Sequence, residues 1–311
     1  MKVLIIGEQP PSTRQRIREL FPAQWELCFS SLAEAERELA DAEVLLPEHL
    51  RVGEALLRKA PRLKLVQTGA GYDNIDLEAC TRAGVQVCSA AGVNADAVAE
   101  HVLALLLCRY KNLLPLDGGM KAHREVRALD YAGGELAGKT IGLVGLGAVG
   151  KRVAALCRAF GMRVLAYTRS PFSLEGVEAA ELDRLLCESD VVSLHVPLTE
   201  ATRHLIDARA LARMKPDALL INTARGAVVD EAALIRALRE RRIGGACLDV
   251  FETEPLPPEH PLRDLDNVIL TPHTAGLPDG PGFHRKRYAF FVRNIEKVLR
   301  GETPESRLNF L

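Results

Sequence analysis

A glycine-rich segment near the middle of the chain has the residue types of a phosphate-binding loop. Residues 145–150 match the pattern G-x-G-x-x-G, follow the apolar run 141–144 and open a stretch with apolar residues at helical spacing. In that context Gly145 allows a tight turn, Gly147 lets the backbone approach a pyrophosphate, and Gly150 lets the helix pack on the strand. N–H groups at the start of the helix would bind the phosphates, which predicts a dinucleotide site. A glycine turn without a ligand is the alternative.

The residues after the next predicted strand bear on which nicotinamide cofactor is bound. Enzymes that use NAD carry Asp or Glu about 20 residues after the glycine loop, where it holds the ribose 2′-OH. This chain has Thr168-Arg169-Ser170 there. Because a guanidinium and two hydroxyls suit a 2′-phosphate, we predict NADPH in preference to NADH. The alternative is that Arg169 is a solvated loop charge.

Short apolar runs that alternate with helical patterns must position these residues. In the first part of the chain the predicted strands are Val3–Ile6, Val44–Leu46, Leu63–Gln67 and Val85–Cys88. The helices predicted between and after them are Arg14–Leu20, Leu32–Ala40, Gly53–Ala60, Leu77–Ala83 and Asp96–Tyr110. A second series of strands follows Lys139: Ile141–Val144, Arg163–Tyr167, Val191–Leu194, Leu219–Ile221, Gly245–Leu248 and Val268–Leu270. This alternation predicts an α/β protein with doubly wound parallel sheets.

The C-terminal end of the chain is predicted to return to the first domain. A last helix, from about Phe283 to Arg300, can pack only on the first half. We therefore predict a substrate domain of residues 1–91 and 275–311, interrupted by a cofactor domain of residues 92–274. The loop Leu277–Gly282 is a candidate to reshape the substrate pocket. The basic cluster His284–Arg287 is interpreted as a solvated helix face, or alternatively as a group that attracts an acidic substrate.

The composition argues against several classes of protein. The chain has 311 residues, 48% hydrophobic and 26% charged, with a formal net charge of −1. This is a globular composition for about two domains, without the net positive charge that favours nucleic acid or an anionic membrane surface. Its longest apolar stretch, Val102–Cys108, is far shorter than the roughly 20 residues that cross a bilayer. Seven scattered cysteines without a C-x-x-C pair predict a reducing, cytoplasmic location and no metal site.

The order of motifs resembles that of the D-isomer-specific 2-hydroxyacid dehydrogenase family. Besides the glycine loop, the matching segments are Gly69–Asp76, Gly92–Glu100, His195–Thr199, Asn222–Gly226, Leu248–Pro255 and Thr271–His273. The resemblance covers nearly the whole chain. It implies a Rossmann-type cofactor domain inserted in a flavodoxin-like substrate domain. It also implies hydride transfer between NAD(P)H and a small 2-oxo or D-2-hydroxy acid, with glyoxylate or hydroxypyruvate the best fit to an NADPH enzyme.

The resemblance also implies a catalytic set of Arg225, Glu254 and His273. A planar guanidinium can bind the carboxylate and carbonyl of a 2-oxo acid together. A protonated imidazole can donate a proton to the alkoxide that forms, and a carboxylate beside it favours the charged ring and orients it. Each residue has a plainer alternative: Arg225 as a strand-end cap, Glu254 as a solvated charge and His273 as a loop histidine.

Further residues are assigned to the substrate and the cofactor from the same resemblance. The substrate would be bound by backbone N–H groups of Ala70 and Gly71 and by the side chains of Arg225 and His273. Asp249 would lie near the nicotinamide amide, although a hydrogen-bond acceptor at a strand end is an equal alternative. The predicted cofactor-binding residues are Gly145, Leu146, Gly147, Ala148, Val149, Gly150, Thr168, Arg169, Ser170, His195, Val196, Pro197, Thr202, Thr223, Ala224, Arg225, Asp249, His273 and Ala275.

Two further expectations concern partners and a rival function. The helix Asp96–Cys108 and the segment that follows it to about Gly138 correspond to the family's dimerisation arm, so we expect a homodimer. Apolar residues of this helix, such as Val98 and Val102, could equally belong to the core of one chain. The rival function is a non-catalytic, NAD(P)-sensing binding protein like the family's corepressors, which retain the glycine loop.

Overall fold

The structure is a computed structural model that describes residues 1–128, 133–280 and 283–310. The chain divides into two compact units: unit 1 is Met1–Asn94 with Leu277–Leu311, and unit 2 is Ala95–Gly276. The boundaries expected from the sequence lie a few residues earlier at both junctions. Residues 129–132 of the predicted dimerisation arm and 281–282 of the loop 277–282 lie outside the described residues.

Unit 1 contains a five-stranded parallel sheet in the order β2-β1-β3-β4-β5. Its strands β1 to β5 are Lys2–Ile6, Glu26–Ser30, Val44–Leu46, Leu65–Thr68 and Gln86–Ser89. Its helices are α1 (Pro11–Arg18), α2 (Glu54–Leu57), α3 (Leu77–Arg82) and, from the C-terminal part of the chain, α10 (Arg285–Leu299). The chain moves outward from β1 to β2 and then returns to β3 on the other side, which is the flavodoxin-like arrangement. In such sheets ligands bind at the carboxyl ends of the strands where the order reverses.

The sheet of unit 1 has an apolar layer on each face. All five residues of β1 are buried, because a parallel sheet with both faces covered needs near-continuous apolar strands. The C-terminal part of the chain supplies one of the covering layers through Tyr288, Phe291 and Ile295 of α10. Asn294, which is buried in the same helix, donates its amide to the Gln67 side chain of β4 at 2.9 Å.

Unit 2 contains a seven-stranded parallel sheet in the order β12-β11-β10-β9-β6-β7-β8. Its strands β6 to β12 are Thr140–Val144, Arg163–Tyr167, Val177–Ala179, Val191–Leu194, Leu219–Asn222, Gly245–Leu248 and Val268–Leu270. Its helices α4 to α9 are Ala95–Tyr110, Leu113–Lys121, Ala148–Ala159, Leu182–Glu188, Ala208–Arg213 and Glu231–Arg239. The order is that of a Rossmann sheet. Together the two sheets confirm the predicted class of two doubly wound α/β domains.

Several local predictions need correction. The segment 32–40, predicted as a helix, contains only the 3₁₀ turn Ala35–Glu38. The edge strands β2 and β8 were not predicted, since both are partly exposed and lack a continuous apolar run. The basic cluster His284–Arg287 is not a solvated face throughout: Arg285 and Lys286 are exposed, whereas His284 is buried and Arg287 is largely buried.

The long helix α4 belongs largely to the core of unit 2. Val102, Leu105 and Leu106 lie in the same apolar cluster as Val153 and Cys157 of α6. The interpretation of these α4 residues as core of one chain is therefore the correct one. None of the helices in the described ranges combines the length and the apolar content needed to cross a bilayer.

Candidate active site

The glycine loop joins β6 to α6, and each of its three glycines has a different surrounding. Gly145 has φ +102°, and a Cβ there would lie 2.6 Å from the carbonyl oxygen of His195. A Cβ on Gly150 would collide with the carbonyl of Gly145, so this glycine sets how closely the helix packs on the strand. A Cβ on Gly147, at the N-cap of α6, would meet open space. The first and third glycines are therefore required by packing, whereas the second leaves room for a phosphate at the helix N-terminus.

The next strand, β7, ends at Tyr167 beside the glycine loop, because the N–H of Gly145 donates to the Tyr167 carbonyl at 2.9 Å. Thr168, which follows, folds its hydroxyl back onto the carbonyl of Ser170. Arg169 is exposed and forms no ion pair with the residues that the structure describes. Arg163 of the same strand, by contrast, binds Glu178 and Glu188 at 2.7 and 2.9 Å. The guanidinium of Arg169 is therefore available to an anionic ligand.

The loop after β9 carries further predicted cofactor residues. His195 accepts or donates a hydrogen bond with the Ser193 hydroxyl at 3.0 Å, and burial lowers the pKa of His195 to about 4. Its ring is therefore neutral at pH 7. Thr202 closes the loop, since its hydroxyl donates to the Pro197 carbonyl at 2.6 Å and accepts from the N–H of Thr199 at 2.8 Å. These hydrogen bonds hold the loop in shape. The loop follows β9, the strand next to β6 in the sheet.

Thr223, at the end of β10, has a polar atom without a partner. Its hydroxyl oxygen is buried and forms no hydrogen bond with the described part of the chain. An unsatisfied buried hydroxyl is costly unless a ligand or water completes it. Together with the open space at Gly147, this hydroxyl indicates that the residues present fit a bound dinucleotide.

Arg225 lies in the turn that follows β10. The buried side chain of Asn222 fixes this turn, donating to the Arg225 carbonyl at 2.9 Å and accepting from the N–H of Ala224 at 3.0 Å. Gly226 comes next, and a Cβ there would overlap the backbone of Phe251 and Glu252. The turn that carries Arg225 is therefore packed directly against the loop that follows β11. The sequence predicted no separate role for Asn222 or Gly226, although both belong to the matching segment Asn222–Gly226.

Glu254 and His273 come together as a pair at the ends of β11 and β12. The carboxylate Oε2 of Glu254 lies 2.6 Å from Nδ1 of His273, and its Oε1 accepts from the N–H of Phe251 at 3.0 Å. The pair is partly accessible, with 40% of the His273 side chain and 29% of the Glu254 side chain exposed. A charged hydrogen bond of this length fixes the ring orientation and assigns Nδ1 to the carboxylate.

Asp249, which is fully buried at the end of β11, holds the segment that carries His273. Its Oδ1 accepts from the Thr271 hydroxyl at 2.6 Å and from the N–H of Thr274 at 2.9 Å, and its Oδ2 accepts from the N–H of Ala275 at 2.9 Å. His273 itself has φ +54°, a left-handed conformation that costs energy for a side chain of this size. The carboxylate of Asp249 therefore stabilises the strained turn that presents the imidazole.

His101 of α4 is a member of this network that sequence reasoning missed. Its Nε2 lies 3.1 Å from the Thr271 hydroxyl and 3.7 Å from Oδ1 of Asp249. The sequence offers no signal for it, because a single histidine in an apolar helix is usually core. The contact links the first helix of unit 2 to the turn at His273.

In the loop after β4, in unit 1, two carbonyl groups accept hydrogen bonds, whereas two N–H groups have no backbone acceptor among the described residues. Ser89 donates its hydroxyl to the carbonyls of Gly69 and Ala70, both at 3.0 Å. The N–H groups of Ala70 and Gly71 donate to no backbone carbonyl among the described residues. Backbone donors without a backbone acceptor remain open to a ligand, as an anion site requires.

Comparisons with known proteins agree with this arrangement. Residues 103–275 match the family model described as D-isomer specific 2-hydroxyacid dehydrogenase, NAD binding domain. A glyoxylate reductase of Aeropyrum pernix is 40% identical, over 90% of this chain and 86% of that protein. Two solved structures are similar in fold. A D-lactate dehydrogenase of Aquifex aeolicus, complexed with NAD and lactic acid, has a TM-score of 0.84 and 33% identity over 96% of each chain. An acyclic imino acid reductase, Bsp5, in complex with NADPH and D-Arg, has a TM-score of 0.86 and 30% identity over 99% of this chain and 100% of that one.

Proposed function

Because the chain belongs to the D-isomer-specific 2-hydroxyacid dehydrogenase family, we propose that it reduces glyoxylate or hydroxypyruvate and prefers NADPH as the reductant. It is an NAD(P)-dependent oxidoreductase that interconverts 2-oxo and 2-hydroxy acids. The choice of substrate rests on the similarity to a glyoxylate reductase over most of both chains. The main structural support for the proposed reaction is the hydrogen bond of 2.6 Å between Glu254 and His273.

His273 acts as the general acid in this proposal. Bound nicotinamide cofactor supplies the hydride that adds to the carbonyl carbon of the substrate. Negative charge then builds on the carbonyl oxygen, and His273 delivers a proton to it. Since Glu254 engages Nδ1, the proton comes from Nε2. The Glu254 carboxylate holds the ring in the orientation that directs Nε2 away from it, and the charge of a protonated ring would also stabilise the developing alkoxide.

Arg225 orients the substrate. Its guanidinium binds the carboxylate and the carbonyl oxygen, so that the flat 2-oxo acid presents one face for attack. The turn fixed by Asn222 and the close packing at Gly226 restrict where the guanidinium can reach. Backbone N–H groups of Ala70 and Gly71 are assigned to the substrate carboxylate as well.

The preference for NADPH rests on the residues after β7. A carboxylate at this point would accept hydrogen bonds from the ribose hydroxyls and repel a 2′-phosphate, but the chain has Thr168, Arg169 and Ser170. Arg169 is exposed and has no ion-pair partner among the described residues. An exposed guanidinium without an ion-pair partner can form strong, charge-assisted hydrogen bonds with the 2′-phosphate of bound NADPH.

The homodimer is assigned to the region around α5. Leu113, Leu114 and Met120 are between 48% and 62% exposed, although all three are large apolar side chains on one short helix. Apolar residues grouped on a surface in this way are typical of a protein interface. The non-catalytic alternative is not supported, because the relatives described above are named as enzymes.

The test is an assay of the purified protein that follows the absorbance of reduced nicotinamide. NADPH and NADH are each combined with glyoxylate, hydroxypyruvate, pyruvate and phenylpyruvate. The proposal predicts turnover of the two small acids and a higher kcat/KM for NADPH. Tight cofactor binding without turnover of any acid would overturn it in favour of a cofactor-sensing protein.

A further inference from the structure

Three polar side chains of unit 1 meet where the sheet order reverses. Gln9 follows the end of β1, Glu48 follows the end of β3, and Arg287 projects from α10. A Cβ placed on Gly7 would lie 2.9 Å from Nε2 of Gln9 and 3.7 Å from Cγ of Glu48, so these two side chains share one small region. The guanidinium of Arg287 lies 3.3 Å from Oε1 of Glu48. The carboxyl ends of strands at such a reversal are where sheets of this kind bind ligands.

Arg287 is held firmly and remains charged. Its side chain is 16% exposed, and its guanidinium lies 5.2 Å from the ring centre of Tyr288 and 5.9 Å from that of Phe291. Burial acts to lower the pKa of Arg287, but the Glu48 carboxylate and Tyr288 together outweigh burial, so the pKa is raised. The positions of Arg287 and Glu48 are therefore coupled, and their charges cancel.

Two polar atoms of this group have no partner. Nε of Arg287 and Oε1 of Gln9 are both buried and form no hydrogen bond with any residue that the structure describes. One is a donor and the other an acceptor. Each unsatisfied buried group of this kind costs free energy that a ligand can recover. Glu48 also has φ +45°, a strained conformation that is held by the Asn74 side chain, which donates to the Glu48 carbonyl at 2.9 Å.

The group adjoins the loop that we assign to the substrate carboxylate. Nη1 of Arg287 lies 3.6 Å from the point that a Cβ on Gly69 would occupy, and Gly69 begins that loop. Asn74, which holds Glu48, is part of the same loop. The group formed by Arg287, Glu48 and Gln9 therefore lies beside the place where we propose that the substrate carboxylate binds.

We propose that Gln9, Glu48 and Arg287 form a subsite that selects 2-oxo acids whose third carbon carries a hydroxyl group. The inference rests on the proposed function, since it takes the 2-oxo acid and its carboxylate loop as given. A hydroxyl accepts from the guanidinium and donates to Glu48 or to Gln9, so it satisfies both kinds of group at once. A methyl group in its place leaves these groups unsatisfied, and a second carboxylate meets no net positive charge because Glu48 neutralises Arg287.

The experiment compares kcat/KM for hydroxypyruvate, pyruvate and oxaloacetate in the full-length protein. Each value is divided by that for glyoxylate, which has no third carbon, measured with the same variant. The wild type is compared with a double variant, Glu48→Leu with Arg287→Met, which removes both charges and leaves neither one buried alone. Arg285→Met, an exposed arginine two positions away on the same helix, is the matched control.

The wild type is expected to prefer hydroxypyruvate to pyruvate by about 100-fold, because sites that hydrogen-bond a substrate hydroxyl discriminate strongly against its absence. In the double variant this preference falls by about tenfold or more, whereas Arg285→Met retains it. A preference that survives in the double variant, or a wild type that favours oxaloacetate, would overturn the subsite. A wild type that reduces none of the acids would instead overturn the proposed function.

A second variant covers the case in which the double variant does not fold. Gln9→Met removes the amide and keeps the charged pair intact. It is expected to lower the ratio of hydroxypyruvate to pyruvate as well, by a smaller factor. An unchanged ratio in this variant would also count against the subsite.

Discussion

At the residue scale, two histidines of the candidate site, His273 and His195, differ in what surrounds them. His273 has a carboxylate at 2.6 Å on Nδ1 and is 40% exposed. His195 has the Ser193 hydroxyl at 3.0 Å, and burial lowers its pKa to about 4. A ring that stays neutral at pH 7 brings no positive charge to a developing alkoxide. These surroundings favour the proposed role of His273 as the general acid over the same role for His195.

The lowered pKa of His195 predicts how stability depends on pH. The unfolded chain binds a proton at His195 below about pH 6.5, whereas the folded chain does so only near pH 4. The free energy of unfolding therefore decreases as the pH falls from 6.5 to 4, by about 3 kcal/mol from this residue at the acid limit. In His195→Gln, denaturant unfolding at several pH values should show a smaller decrease across that window. Parallel curves for the wild type and the variant would contradict the assignment.

Arg169 is predicted to discriminate between the two nicotinamide cofactors. In Arg169→Ala the dissociation constant for NADPH should rise by about tenfold or more, because a charge-assisted hydrogen bond to the 2′-phosphate is lost. The dissociation constant for NADH should change little, since that cofactor has no phosphate there. Titration of protein fluorescence with each cofactor measures both values. An equal weakening of the two would show that Arg169 acts through the loop conformation.

At the scale of elements, the position of Arg225 depends on a contact between two loops. Gly226 has no room for a Cβ, since the backbone of Phe251 and Glu252 occupies the space. In Gly226→Ala the loops must separate, which should lower the free energy of unfolding by about 1–3 kcal/mol and reduce kcat as the guanidinium moves. Denaturant unfolding and steady-state kinetics measure the two effects.

The matched control for that prediction is Gly118→Ala in α5. A Cβ at Gly118 meets open space, and alanine favours a helix more than glycine does, so stability should be retained or slightly raised. If Gly226→Ala were as stable and as active as this control, the two loops would not be packed as described.

Element-scale features also show how far the sequence could predict this protein. The strands that precede the glycine loop, Arg225 and His273 were predicted because each is a short apolar run ending in a polar loop. The edge strands β2 and β8 were missed because they are partly exposed, and periodicity depends on burial. The approach of Arg287 to Glu48 was not predicted either, because it joins segments far apart in the chain. The basic cluster His284–Arg287 was therefore misinterpreted as solvated throughout.

At the scale of the whole molecule, the exposed apolar side chains of α5 predict a homodimer. Leu114→Glu places a charge beside the exposed side chains of Leu113 and Met120 and should convert the dimer to a monomer, because a buried charge without a partner is costly. Light scattering coupled to size-exclusion chromatography measures the mass. Leu32→Glu is the control, since Leu32 is equally exposed, at 53%, but lies in unit 1. A wild type of 34.0 kDa in solution would contradict the prediction.

The role of His273 as the proton donor can be separated from cofactor binding by a single substitution. His273→Gln keeps a polar side chain of similar size but cannot act as a general acid. We predict that kcat for glyoxylate reduction falls by about 10²–10⁴-fold, while the dissociation constant for NADPH changes little. An unchanged kcat in a variant that still binds NADPH would show that His273 is not the proton donor.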